Sequence, residues 1–123
     1  DGLQAPLTLE KVNIDDVDRI LFVEGEGTET FHENRQVLKL VKAAAEANLV
    51  IAAEGAAALV IPASGERLQE KKITTRRDLS VKVGALHGQY TGQDVEADGK
   101  ILTSAGDGEP TTRAFLKKFR AIR

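Results

Sequence analysis

A helix-spaced apolar stripe that leads straight into an apolar run without alternation restricts the folds open to this chain more than any other feature. From Glu33 to Ala47, Val37, Leu38, Val41, Ala44 and Ala45 recur three and four residues apart, while Lys39, Lys42 and Glu46 fall elsewhere. Asn48 then caps the predicted helix. Leu49 to Ala53 follows as Leu-Val-Ile-Ala-Ala, the pattern of a central parallel strand covered on both faces. A strand of that kind is covered on both faces, so the chain is expected to build an α/β domain.

The flanking segments fit the same architecture. Arg19 to Val23 reads as a buried strand closed by the turn Glu24 to Thr28, and Ala56 to Ile61 as a short buried helix broken by Pro62. Lys72 to Thr75 is predicted as a strand, Asp78 to Val83 as a brief helix and Tyr90 to Ala97 as an edge segment. Asp98-Gly99 is a hairpin signal leading into a strand over Lys100 to Ser104. Pro110 suits a first helical turn, and Ala114, Phe115, Leu116, Phe119 and Ile122 supply the apolar face of a closing helix. Asp1 to Asp18 reads as an irregular lead-in with a short strand near Leu7 to Leu9. Alternating strands and helices argue for a mostly parallel sheet, whose ligands bind at the carboxyl edge. The turns at Glu24 to Thr28 and at Glu54-Gly55 are therefore the places to look.

Composition narrows the chemistry. A length of 123 residues, 41% hydrophobic and 29% charged, suits one domain, and a net charge of −2 supplies no global field toward nucleic acid or a membrane. The apolar run Ala56 to Ala63 is far short of the roughly 20 residues that span a bilayer. Zero cysteine removes disulfides and thiol catalysis, and two isolated histidines, His32 and His87, make no zinc signature, so neither metal nor cofactor is expected. The absence of methionine, with Asp1 first, reads as part of a longer protein. A cytoplasmic location is expected.

The run Val95-Glu96-Ala97-Asp98-Gly99-Lys100-Ile101-Leu102-Thr103-Ser104-Ala105-Gly106-Asp107-Gly108, followed by a helix, resembles the closing motif of the DJ-1/PfpI (ThiJ) family of the class I glutamine amidotransferase-like superfamily. Asn13 to Val23, His32-Glu33-Asn34 with Val37-Leu38, and Leu49 to Leu59 resemble further family segments, the last being the strand, elbow and helix around its nucleophile. The resemblance implies a flavodoxin-like three-layer sandwich, a single domain over residues 1–123. It also implies that the family's first strand-helix-strand unit, with its pocket glutamate, is missing at the amino terminus.

Departures from the family pattern carry the functional expectation. Where the family places a cysteine at the elbow, this chain has Ala53-Glu54-Gly55, and where it often places a histidine this chain reads Thr74-Thr75-Arg76-Arg77. Arginine stays protonated near neutral pH and cannot act as a general base. The family's Gly-Gly turn becomes Glu24-Gly25-Glu26-Gly27, with an acid where an oxyanion would form. No catalytic residue is expected, and Glu24, Gly25, Ala53, Glu54, Gly55 and Arg76 are the candidate pocket residues.

Each candidate has a plain structural reading as well. Glu54 is expected to cap the following helix; its sharper reading is an ion pair with Arg76 in place of the thiol and imidazole. The Gly25-x-Gly27-Thr28 pattern lacks both a P-loop ending and a dinucleotide fingerprint, and Glu24, Glu26 and Glu29 repel phosphate, so it reads as a turn. His32 and His87 read as capping or surface residues. Arg113, Lys117, Lys118, Arg120 and Arg123 read as a solvated face on the last helix.

The functional expectation is a non-catalytic DJ-1/PfpI-like subunit or domain with a structural, regulatory or binding role in a larger assembly, homo- or hetero-oligomeric. Its partner is a missing amino-terminal half or a second chain that completes the sheet. Two alternatives stand beside it: a hydrolase, deglycase or lyase using carboxylates such as Glu24 or Glu54, and a domain appended to a larger enzyme, as in large-subunit catalases.

Overall fold

The computed structural model describes residues 18–25 and 28–122. Its main sheet has four strands in the order β1-β2-β6-β5: β1 (Arg19–Phe22), β2 (Val50–Glu54), β6 (Ile101–Ser104) and β5 (Val95–Asp98). The β1–β2 and β2–β6 pairs are parallel and β5–β6 is antiparallel, which gives the mostly parallel α/β sheet expected. Gly99 takes a left-handed φ of 63° in the turn between β5 and β6, the hairpin that Asp98-Gly99 signals. The remaining elements are α1 (Arg35–Glu46), α2 (Val60–Ala63), α3 (Ser80–Ala85) and α4 (Glu109–Ala121), with β3 (Lys72–Ile73) and β4 (Gln89–Tyr90) paired in a second, two-stranded sheet.

Alternating side chains divide the core into two layers. Ile51, Ala53 and Ile101, with Ile20 and Phe22, face the side where α1 and the Ala56–Ile61 run pack. Leu21, Ala52 and Leu102 face the other side, where Phe115, Leu116 and Phe119 of α4 cover them. Every residue of β2 and β6 is buried, so the unalternating sequence of β2 has its physical cause: it is sandwiched. The helices begin and end where their chemistry dictates. Asn34 accepts from Gln36 N and Val37 N at 2.9 and 3.1 Å at the start of α1, and Asn48 stands beyond its last residue with φ 61°. Pro110 occupies the first turn of α4.

Several expectations are corrected. The Lys72 to Thr75 strand is only two residues long and belongs to the second sheet, because Thr74 and Thr75 spend their polar groups elsewhere. The buried helix after β2 is a 3₁₀ turn over Gly55–Leu59 followed by the single turn α2, which contains Pro62 rather than stopping before it. The four strands of the main sheet are contiguous, and β1 stands at the edge, paired with β2 alone among the described residues. The strand expected near Leu7 to Leu9 lies outside the described residues.

Candidate functional site

The carboxyl ends of β1, β2 and β6 meet the segment after β3 at one point. β2 ends at Glu54, and Gly55 turns the chain into the 3₁₀ run with φ 60°, the corner of a strand-to-helix elbow. A Cβ on Gly55 would lie 1.9 Å from Glu24 Oε1, and one on Gly106 would lie 2.7 Å from the same atom. The Glu24 carboxylate, carried on the turn after β1, thus rests in a cradle of two glycines. Its Oε2 accepts from Ala56 N at 3.3 Å and from Arg76 Nη1 at 3.1 Å. An N–H in the first turn of the elbow and a guanidinium therefore share one internal carboxylate.

Glu54 holds this arrangement in place from the side. Its Oε1 accepts from Glu24 N at 3.2 Å, and its Oε2 accepts from the Thr112 hydroxyl of α4 at 2.7 Å. It makes no side-chain capping bond to the turn that follows it, so the expected cap is a different residue, Glu24. Arg76 pairs with Glu24 and with Asp78, its Nη2 lying 2.8 Å from Asp78 Oδ2, and not with Glu54 as the sharper expectation had it. The reason is geometric: both Glu54 oxygens are already turned toward Glu24 N and Thr112. Hydrogen bonds with Asp78 first and Glu24 second hold Arg76 charged even more firmly than usual, and the same contact holds the Asp78 carboxyl below the ordinary carboxylate range.

Buried threonines anchor the surroundings. The Thr75 hydroxyl donates to Gly55 O at 2.8 Å, Thr74 N donates to Thr103 Oγ1 at 2.9 Å, and Gly106 N donates to Ser104 Oγ at 3.1 Å. Of the candidate residues, Glu24, Glu54, Gly55 and Arg76 come together. Ala53 is sealed in the core and Gly25 is exposed beside the turn. Thr75, Asp78, Gly106 and Thr112 join the site without having been singled out from sequence. For Gly106 the signal was present in the Thr103-Ser104-Ala105-Gly106 motif; for Asp78 and Thr112 there was none. His32 is neither a cap nor a surface residue: Phe31, edge-on to Phe22, draws its turn into the core and leaves His32 Nδ1 buried, with no hydrogen-bond partner among the described residues. His87 is exposed.

Beside the elbow, across Arg76, lies a cleft of about 730 Å³ lined by Arg77, Asp78, Tyr90, Asp94 and Asp107 among others. Among the described residues no group of three or more His, Cys, Asp or Glu side chains is placed to hold a metal ion.

The model of the DJ-1/PfpI family matches residues 2–120. This chain belongs to that family. The DJ-1/PfpI fold is equally plain in solved structures. A ThiJ/PfpI domain protein from Brachyspira murdochii superposes with a TM-score of 0.84 at 18% identity, covering 93% of this chain and 64% of its own. Drosophila melanogaster DJ-1beta gives 0.77 at 24% identity, with 94% and 61% covered. A two-domain protein from Anabaena variabilis, containing DJ-1/ThiJ/PfpI-like and ferritin-like domains, gives 0.73 at 20%, with 94% and 34% covered. The chain thus spans less than two thirds of the length of each of these DJ-1/PfpI neighbours. No curated protein matches it.

Proposed function

We propose that this DJ-1/PfpI chain is a non-catalytic domain with a binding or regulatory role in a larger assembly. One observation carries the reading: the Glu24 carboxylate occupies the space in front of the elbow corner, and the corner itself is Gly55, which has no side chain to present. A nucleophile elbow works by exposing a reactive group to substrate beside backbone N–H donors. Here the nearest such donor, Ala56 N–H, and the neighbouring cation, Arg76, are taken up by the chain's own acid. Glu54 is engaged at both oxygens, which disfavours it as a free base or nucleophile.

The larger assembly is supported by the sheet edge. All four residues of β1 are only half-buried whereas β2 is sealed along its length, and β1 has no second strand beside it among the described residues. An open parallel edge of this sort invites a further strand. The Anabaena neighbour, in which a domain of this fold is joined to another, supports the appended-domain form of the same reading. Among the described residues no helix is long and apolar enough to cross a membrane.

The chain is tested by measuring turnover of activated esters, glycated amines and 2-oxoaldehydes. The expected result is no turnover above the uncatalysed rate. Turnover that disappears in both Glu24→Gln and Glu54→Gln variants would replace this reading with the carboxylate-based enzyme. Sedimentation and cooperative unfolding of the chain alone test the assembly: a monodisperse, cooperatively folding monomer would remove the need for a completing segment.

A further inference from the structure

Helix α1 carries its charges in an order that helix stability alone does not select. Arg35 is its first residue, Lys39 and Lys42 follow on the next turns, no acid stands in its first turn, and its last residue is Glu46. The helix dipole favours the opposite arrangement, and Arg35 and Lys39, four residues apart with like charge, repel. Helix α4 of the same chain obeys the rule, with Glu109 in its first turn, Lys118 and Arg120 in its last, and an ion pair from Arg113 to Glu109. A merely solvated face gives no reason for α1 to be inverted.

The tertiary structure supplies one. Arg35, Lys39 and Lys42 line an open cleft of about 630 Å³ between α1 and the end of α2, with Leu38, Ala63 and Ser64 among the other lining residues. Among the described residues no carboxylate lines the cleft, and none of the three cations forms an ion pair with another described residue. Lys42 lies seven positions beyond Arg35, a row about 10 Å long at the helical rise of about 1.5 Å per residue. The cleft volume falls within the range of small-molecule sites.

We propose that this cleft binds a small organic molecule bearing two or more phosphate groups. Each phosphate brings up to two charges and several strong acceptor oxygens, so two or three of them match three cations along the row, whereas a carboxylate ligand would need one group per cation. Leu38 and Ala63 offer apolar surface to the organic part. The proposal is independent of the elbow and of whether the chain is catalytic.

The test compares sodium orthophosphate, pyrophosphate, triphosphate and ATP by calorimetry and thermal shift, each against sodium chloride at equal ionic strength. Affinity is expected to rise with phosphate number, and ATP to bind more tightly than triphosphate. Lys39→Glu and Lys42→Glu are each expected to weaken triphosphate binding about tenfold or more, a loss of about 1.4 kcal/mol per factor of ten. Lys39→Gln gives a milder loss in the same direction, and Lys117→Glu on α4 gives none. Arg35→Glu is expected to raise the Tm of the ligand-free chain while weakening binding, the signature of a charge kept for a ligand and not for the helix. A triphosphate shift no larger than that of sodium chloride, or unchanged binding in Lys39→Glu and Lys42→Glu, overturns the proposal. Equal affinity for ATP and triphosphate overturns its organic half.

Discussion

At Gly55 the backbone and the space around it make the same demand. The left-handed φ disfavours any side chain, and the Glu24 carboxylate fills the volume that a side chain would take. Gly55→Ala is therefore expected to cost about 2 to 4 kcal/mol in denaturant unfolding. In a Glu24→Gly background the cost should fall to about 1 kcal/mol, the backbone part alone, so the double-mutant cycle reads the clash directly. Arg76→Ala leaves Glu24 over the elbow without its cation. With the Arg76 and Glu24 side chains 32% and 23% exposed, solvent screening holds the expected loss to about 1 to 2 kcal/mol, against about 0.5 kcal/mol or less for Arg77→Ala. Equal losses for the two variants would contradict the assigned pairing. The Asp78 carboxyl, held low by Arg76, adds stability that is fully present above the ordinary carboxylate range and is lost as the pH falls from there through the depressed value. The stability difference between wild type and Asp78→Asn should accordingly shrink between neutral pH and about pH 3, measured as Tm.

Among the elements, α4 is held by an interaction that its own sequence does not contain. Arg19 Nη1 and Nη2 donate to Phe119 O and Ile122 O at 2.6 and 3.0 Å, and the guanidinium lies 5.3 Å from the Phe119 ring centre. A cation from β1 thus satisfies carbonyls at the helix end, where the dipole also favours it. Arg19→Ala should destabilise by about 1 to 2 kcal/mol and raise hydrogen exchange first in the last turn of α4. The type and order of α1, β2, β6 and α4 were legible because each carries a complete local signature: a stripe, an unalternating run, a hairpin turn, a proline followed by an apolar face. The stretch from Thr74 to Asp94 was less so. There the chain is held by side-chain bonds such as Thr75 to Gly55 O and Thr74 Oγ1 to Gln93 O, and such bonds leave no periodicity.

For the whole molecule, the contiguous order β1-β2-β6-β5 leaves β1 as an edge among the described residues. In the chain alone, β1 amides should exchange about tenfold or more faster than those of β2 and β6, and any segment that completes the sheet should slow them selectively. Unchanged exchange in β1 on assembly would place the partner elsewhere. From sequence alone came the α/β class and the absence of a thiol, because composition and hydrophobic period are local properties; resemblance of the Val95 to Gly108 motif brought the family, and departures from its pattern brought interest to Glu24, Gly55 and Arg76. Which acid meets Arg76, that Thr112 engages Glu54, and that three cations of α1 share one cleft were decided by tertiary structure. Pairing across dozens of residues depends on where the sheet brings strand ends together, and no local spacing encodes that.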